Sequence, residues 1–396
     1  MYVIKDPQLV PQIVNNQDHF EKLAASPTSP FGRYLSFAIT GSGDHPIRWR
    51  VAKGLMRTVV SHAYAEETVQ AMKQQVLVSA QQLWSKKNGQ AIPLYPDMLG
   101  IAVPASFRVL FGCDLSAELA KHNVDFETFI RHIDMTANTD MLVLEYDHKV
   151  DQTLQIVSKI GQAALRHAPE GTFGHRIQSL VQNTCCDDEA SEFTSEMGLH
   201  NALFYSIAMP TVLSVVLHWT VLSIIRHPEY LHDIRKGLQQ DDPTHFLMFL
   251  KEVLRMYPPV SSYGQRMVKR NVSLGGTRLT RGSRVLVVPA FLVGDKDFCP
   301  ERWKDNLNLS NAIYGDKGDS SLFYAPFSSG SRGCIGRFIM APLLQEVVSA
   351  FLQNFDFGLC GEDPWVGKPS ALQHFPDNLI TFKPDVNLAF TVVART

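Results

Sequence analysis

Phe327-Ser-Ser-Gly330-Ser-Arg332-Gly333-Cys334-Ile-Gly336 sets one cysteine among three glycines, with an arginine two residues before it and a phenylalanine at the start of the run. Glycine tolerates the positive φ that a tight loop requires, so the backbone here can fold closely around the sulfur. By itself the run is compatible with a buried cysteine in an ordinary Gly-rich turn. Upstream, Glu252-Val-Leu-Arg255 puts an acid and a base three residues apart, on one helical face, and leads into Met-Tyr-Pro-Pro-Val260. Pro300-Glu301-Arg302-Trp303 then supplies a second arginine. An isolated Glu-x-x-Arg is usually a solvated pair. Three such motifs in a fixed order are a far more specific signal.

In that order the motifs resemble those of the cytochrome P450 family, strongly over the last half of the chain and weakly over the first. The resemblance implies a mainly α fold with a smaller β part. It also implies heme b (iron protoporphyrin IX) as cofactor, with Cys334 as the iron ligand. A thiolate donates strongly to iron and favours O–O cleavage, and loop amides tune that donation. On the same resemblance Phe327 shields the sulfur, and Gly336 lets the next helix approach the macrocycle. Arg332, and Arg266 in Tyr263-Gly-Gln-Arg266, pair with heme propionates. Glu252, Arg255 and Arg302 form a buried ion-pair network that braces the cysteine loop. The basic helix from Ile47 to Val60 is similar to the family's C helix. Its propionate-reaching pair reads as Trp49 and Lys53, or in another register as His45 with Arg48 or Arg50. Arg48, Arg50, Lys53 and Arg57 also suit an acidic electron-transfer partner, a reductase or ferredoxin.

The central helix departs from the family's pattern. Most members carry an acid–alcohol pair there, after a small Ala-Gly segment. With the register anchored on Trp219 and Arg226-His227-Pro228-Glu229, the acid position holds Thr211 and the alcohol position Val212. Met209 replaces the usual glycine, and Pro210 follows it. A slip of one residue puts Pro210 at the acid position and Thr211 at the alcohol position. Neither register yields a carboxylate. Pro210 removes a backbone N–H and crowds the carbonyl of Ser206, four residues back, so a kink is expected there. The freed carbonyl would be open to water or to a substrate group. The sequence begins where the family usually has its second strand and B helix, so the N-terminal anchor, A helix and first strand have no counterpart in it. Gly294-Asp-Lys-Asp-Phe298 stands for a longer family segment.

The bulk composition agrees with a single enzyme domain over residues 1–396. About 45% of the 396 residues are hydrophobic, and the formal charge of −2 sets up no field that would attract nucleic acid. The six cysteines are scattered, which is no disulfide framework and fits a reducing, cytoplasmic compartment. Adjacent Cys185 and Cys186 have no partner pair spaced for zinc. No signal peptide opens the chain, although a membrane attachment through a segment ahead of it stays open. Ala202 to Ile225 is long and apolar enough to span a bilayer, but it is studded with Ser, Thr and His, and beside these motifs it reads as a buried core helix.

Periodicity predicts helices over Pro7–Asn15, Glu66–Lys86, Pro96–Leu110, Asp125–Thr136, Lys149–His167, Glu229–Leu238 and Pro243–Met256. The central helix runs from near Ser191 to before His227. Strand–turn–strand–turn–strand is expected over Val272–Val288, helix after Cys334, and two strands over Asn378–Val393. Phe204, Tyr205, Met209, Thr211, Val212, Val260 and Ser261 are the candidate pocket residues, and they imply a small, mostly apolar substrate. Oxygen-dependent oxidation or hydroxylation in secondary metabolism is the first reading. Rearrangement, dehydration, cyclisation or peroxide-driven chemistry is the second, and a non-catalytic heme protein the third.

Overall fold

A computed structural model describes residues 1–23, 38, 49, 52–54, 56–57, 60, 62–87, 89–138, 148–184, 195–260, 262–263, 265–294, 297–315, 322–362 and 388–395. Cys185, Cys186, Ser261, His45, Arg48, Arg50 and most of the 294–298 segment's middle lie outside the described residues.

The chain is mainly helical. A 3-10 turn at Pro7–Leu9 opens into α1 (Val10–Val14), and α2 (His62–Lys86), α3 (Leu94–Phe111), α4 (Leu115–Lys121), α5 (Phe126–Asn138) and α6 (His148–Arg166) follow. Then come α7 (Phe173–Thr184), α8 (Ser195–Arg226), α9 (Glu229–Gln239), α10 (Thr244–Met256) and α11 (Arg337–Asn354). Two of these were not legible in the periodicity. In α4 the N-cap Asp114 accepts from the Ala117 amide at 3.1 Å, and seven residues are too few to show a repeat. In α7 the buried Phe173 and Ile177 stand four apart, a helical spacing thinned by the polar residues between them.

The long apolar α8 is the axis of the core. It packs on α3 most extensively, and also on α6, α7, α10, α5 and α11. Within Met197–Arg226 the most apolar 18-residue window is 89% buried inside the protein, so its apolar surface is covered by other helices. The helix continues unbroken through Pro210. Trp219 stacks flat on Tyr257, with centroids 4.3 Å apart, and fixes the end of α8 against the end of α10.

Among the described residues four small sheets sit beside the helices. The largest has the order β1 (Tyr2–Ile4), β7 (Arg284–Val287), β4 (Gln265–Val268), β2 (Phe20–Lys22), with β1 parallel to β7 and the rest antiparallel. The expected strand run over Val272–Val288 is β5 (Val272–Leu274), β6 (Thr277–Leu279) and then β7. Gly275 and Gly276 both have positive φ (54° and 77°), as a two-residue hairpin turn requires. A short ribbon, β8 (Ile313–Tyr314) with β9 (Phe323–Tyr324), leads into the cysteine loop. At the C-terminal end β11 (Ala389–Ala394) lies between β10 (Phe355–Leu359) and β3 (Ala91–Pro93). Of the two strands expected over Asn378–Val393, the described residues contain β11, which begins at Ala389 and ends beyond Val393. Its other partners come from distant segments.

Candidate active site

Two of the motifs meet at Glu252 of α10. Glu252 and Arg255 are one turn apart on α10, and both are buried. Arg255 grips the Glu252 carboxylate with two donors, Nε to Oε2 at 2.9 Å and Nη2 to Oε1 at 2.7 Å. Arg302 Nε approaches Oε1 at 3.3 Å. Two further donors complete the carboxylate's shell, the Cys299 amide at 2.9 Å and Trp303 Nε1 at 2.8 Å. Both arginines also reach the Asp297 carbonyl. A buried charge is tolerated only when its lone pairs are filled in this way.

Lys251, the residue before Glu252, was not singled out from the sequence. Its ammonium is buried and donates to the Asn306 carbonyl (2.7 Å), Asn306 Oδ1 (2.9 Å) and the Asn308 carbonyl (3.0 Å). It also lies over the rings of Trp303 and Tyr324, 4.7 and 4.8 Å from their centroids. Trp303 therefore joins the two charged groups, and Tyr324 carries the bracing into the strand that enters the loop.

The loop itself is held from several directions. The Cys334 amide donates to the Phe327 carbonyl at 2.8 Å, and Phe327 is buried. Tyr314 Oη meets Ser329 Oγ at 2.7 Å, Gln17 binds Ser331 Oγ, and Lys53 binds the Ser331 carbonyl. Gly330 has φ +69°, and a Cβ there would lie 2.9 Å from the Val14 carbonyl and would collide with Asn15. Gly330→Ala should therefore cost at least about 1–2 kcal/mol from left-handed backbone strain alone, plus the displacement of α1. A thermal-melt comparison of the two proteins checks this, and an unchanged melting temperature would refute it.

Cys334 has an accessible side chain, yet burial raises its thiol above the ordinary value. Both hold together when the sulfur faces a space inside the fold. The amides of Gly336 and Arg337 donate toward it at the start of α11, and the charges of Arg337 and Lys22 act in the same direction, favouring the thiolate. A Cβ on Gly336 would stand 3.6 Å from Cys334 Sγ and 3.9 Å from Tyr205 Cε1, pointing into the same region.

Cations gather nearby. Trp49 carries Arg332 over its ring at 4.0 Å and Lys53 at 4.8 Å. Burial lowers the pKa of Lys53, and the positive charges of Arg57, Arg332 and Arg337 lower it further. Arg266 is buried in β4 and donates to the Tyr263 carbonyl at 3.2 Å. The sequence-derived Trp49, Lys53 and Arg332 thus come together, and Arg337 joins them.

Tyr205 brings α8 to the same region as Cys334. Between His200 and Ile224 every residue is buried except Phe204, Tyr205, Ala208 and Val212. At 3.6 residues per turn these four share an arc of about 100°. Met209 and Thr211 lie on packed sides, and Pro210 is buried between them. The Thr211 hydroxyl donates back to the Ile207 carbonyl at 2.7 Å. Among the described residues no three His, Cys, Asp or Glu side chains are gathered to hold a metal ion, so an iron at Cys334 needs further ligands from a bound group.

The family described as Cytochrome P450 matches residues 1–373. The chain belongs to the cytochrome P450 family. Members are oxidoreductases of the monooxygenase and oxidase type. The chain is 24% identical to 11-oxo-beta-amyrin 30-oxidase of Medicago truncatula, over 96% of this chain and 76% of that protein. It is 21% identical to echinocystic acid 23-monooxygenase of Saponaria officinalis, over 96% and 77%. To cytochrome P450 3A16 of Mus musculus it is 28% identical, over 48% and 41%.

The P450 family implies a heme, and the residues present suit one. An accessible thiol lies deep in the fold with amides aimed at it, and a glycine leaves room beside it. A one-sign cluster of Lys53, Arg57, Arg332 and Arg337 calls for anionic partners such as propionates.

Lys251 gives this site a pH dependence. Burial pushes its ammonium down to about 8, against an ordinary value of about 10.4 in the unfolded chain. Between those values the unfolded chain binds more protons, so the contribution of this site to stability rises with pH. The penalty is fully present below about 8. Lys251→Met should leave the Asn306 and Asn308 carbonyls short of donors, at about 1–3 kcal/mol. The stability difference between wild type and variant should widen in favour of wild type from pH 8 to 10, read from urea midpoints. A constant difference would contradict this assignment.

Proposed function

We infer that this chain is a single-domain heme-thiolate monooxygenase that uses heme b on Cys334 to oxidise a mostly apolar natural product in secondary metabolism. The observation that carries the reading is the accessible Cys334 sulfur in the same region as Tyr205, one of the four residues of the less-buried stripe of α8. When bound, heme supplies dioxygen activation. The chain supplies the rest. Cys334 would hold the iron as thiolate, with the Gly336 and Arg337 amides aimed at its sulfur. Phe327 would keep water from the loop, and Trp49, Lys53, Arg332 and Arg266 would receive the propionates. Phe204, Ala208 and Val212 offer an apolar wall with no carboxylate or amide, and Val260 is also partly exposed. The relatives named for 11-oxo-beta-amyrin and echinocystic acid oxidation favour a bulky apolar substrate. Electrons would come from a reductase or ferredoxin docking where Arg57 is exposed and Phe338, next to Arg337, is 49% exposed.

One observation favours a second reading, isomerisation or dehydration without reductive dioxygen activation. Val212 on the stripe has no hydroxyl, and that of Thr211 is committed to the helix backbone. Turnover of a panel of polycyclic apolar compounds, with and without oxygen and NAD(P)H, decides between them. Product that requires both supports the monooxygenase, and product formed anaerobically without NAD(P)H overturns it.

A further inference from the structure

Of the four less-buried residues of α8 between His200 and Ile224, Tyr205 alone carries a side-chain hydrogen-bond donor; Phe204, Ala208 and Val212 have none. Its ring is partly accessible, but its hydroxyl oxygen is buried and has no hydrogen-bond partner among the described residues. Buried phenols nearly always find one. Neighbouring hydroxyls of α8 are spent on the helix itself: Ser206 on the Leu203 carbonyl, Thr211 on Ile207 and Ser214 on Pro210, at 2.7–2.8 Å. The phenol of Tyr205 is thus the donor this wall still has to give. Burial raises its pKa, and the Cys334 charge raises it further, so it stays protonated.

Its place follows from the contacts around Gly336. A Cβ there would lie 3.6 Å from Cys334 Sγ and 3.9 Å from Tyr205 Cε1. The ring edge is therefore no farther from the sulfur than the sum of those two distances. Phe173 supports the ring, with centroids 5.2 Å apart. A macrocycle whose iron is held by Sγ would lie between the sulfur and α8, which leaves Tyr205 on the face away from Cys334. A donor buried this deeply suits a ligand of two or three atoms better than a bulky substrate.

We propose that Tyr205 donates a hydrogen bond from its phenol to the small sixth ligand of the heme iron, on the face away from Cys334. It would supply there the hydroxyl that Val212 lacks and that Thr211 has committed to the helix backbone. The proposal rests on the heme-thiolate reading, which the Soret band of the wild-type ferrous carbonyl protein tests separately.

The experiment uses the heme-loaded protein with carbon monoxide as the probe ligand, read by infrared and resonance Raman spectroscopy. A donor aimed at the bound diatomic lowers its C–O stretch. Tyr205→Phe should therefore raise the C–O stretch and lower the Fe–C stretch, with the ferric Fe–S stretch unchanged. Replacement of Tyr205 by 3-fluorotyrosine, a more acidic phenol of nearly the same shape, should move the C–O stretch the opposite way. An unchanged C–O stretch in Tyr205→Phe overturns the proposal. So does a shift of the Fe–S stretch alone, which would place the hydroxyl's action on the sulfur side. A C–O shift that appears only after an apolar substrate is added also overturns it, by assigning the donor to the substrate. Should Tyr205→Phe fail to fold or to hold heme, the 3-fluorotyrosine protein decides, and an unchanged C–O stretch there overturns the proposal.

Discussion

Glu252→Ala is expected to cost roughly 3–5 kcal/mol of stability, the range seen when one partner of a buried ion pair is removed. The reason is the count of groups that end on this carboxylate. Arg255 makes two charged hydrogen bonds to it, and Arg302, the Cys299 amide and the Trp303 indole add three more. Arg255 is itself buried, so deletion strands a guanidinium where water cannot reach it. Against a total of about 5–15 kcal/mol for a typical domain, such a loss leaves little folded protein at physiological temperature. Glu252→Gln keeps the acceptor for Trp303 or Cys299 but loses the charge, and it should fall between. Urea denaturation of the three proteins measures this. An alanine variant within about 1 kcal/mol of wild type would mean that the network braces nothing.

Cys334→Ser has the largest expected effect on chemistry and a small one on the fold. The side chain is accessible, so no packing is lost with the sulfur. A serine hydroxyl in the same place stays protonated and is a poor iron ligand. The reduced protein with carbon monoxide should lose the long-wavelength Soret band that a thiolate produces. Activity should fall by more than the roughly 10–100-fold typical of losing an outer partner of a metal ligand. Retention of that band in the serine variant would assign the iron to another residue.

These two sites were readable in the sequence because their chemistry depends on residue type at short spacing. Glu252 and Arg255 share a helical face whatever surrounds them, and the glycines of the cysteine loop answer to a backbone demand. Other participants were hidden by their ordinariness. Trp303 reads as a core aromatic, and only the structure shows its indole on Glu252. Lys251 reads as a solvated charge, although it lies in a stretch from Met248 to Met256 that is buried throughout. The open side of α8 was illegible for a different reason. A helix apolar all round has no amphipathic pattern, so nothing in its sequence distinguishes the stripe of Tyr205, Ala208 and Val212 from the packed flank of Met209 and Thr211.

The strand β11 also carries a consequence for biosynthesis. Its residues Ala389, Phe390 and Thr391 pair with Pro93, Ile92 and Ala91. Ribosomes add about 5–20 residues per second, so β3 emerges and then waits tens of seconds for the partner that completes its ladder. During that interval the buried side chain of Ile92 lacks the strand that pairs with it. Chaperone dependence during expression should therefore concentrate on this early segment, and slowed translation of the intervening chain should lower soluble yield more than slowed translation of the first ninety or so residues.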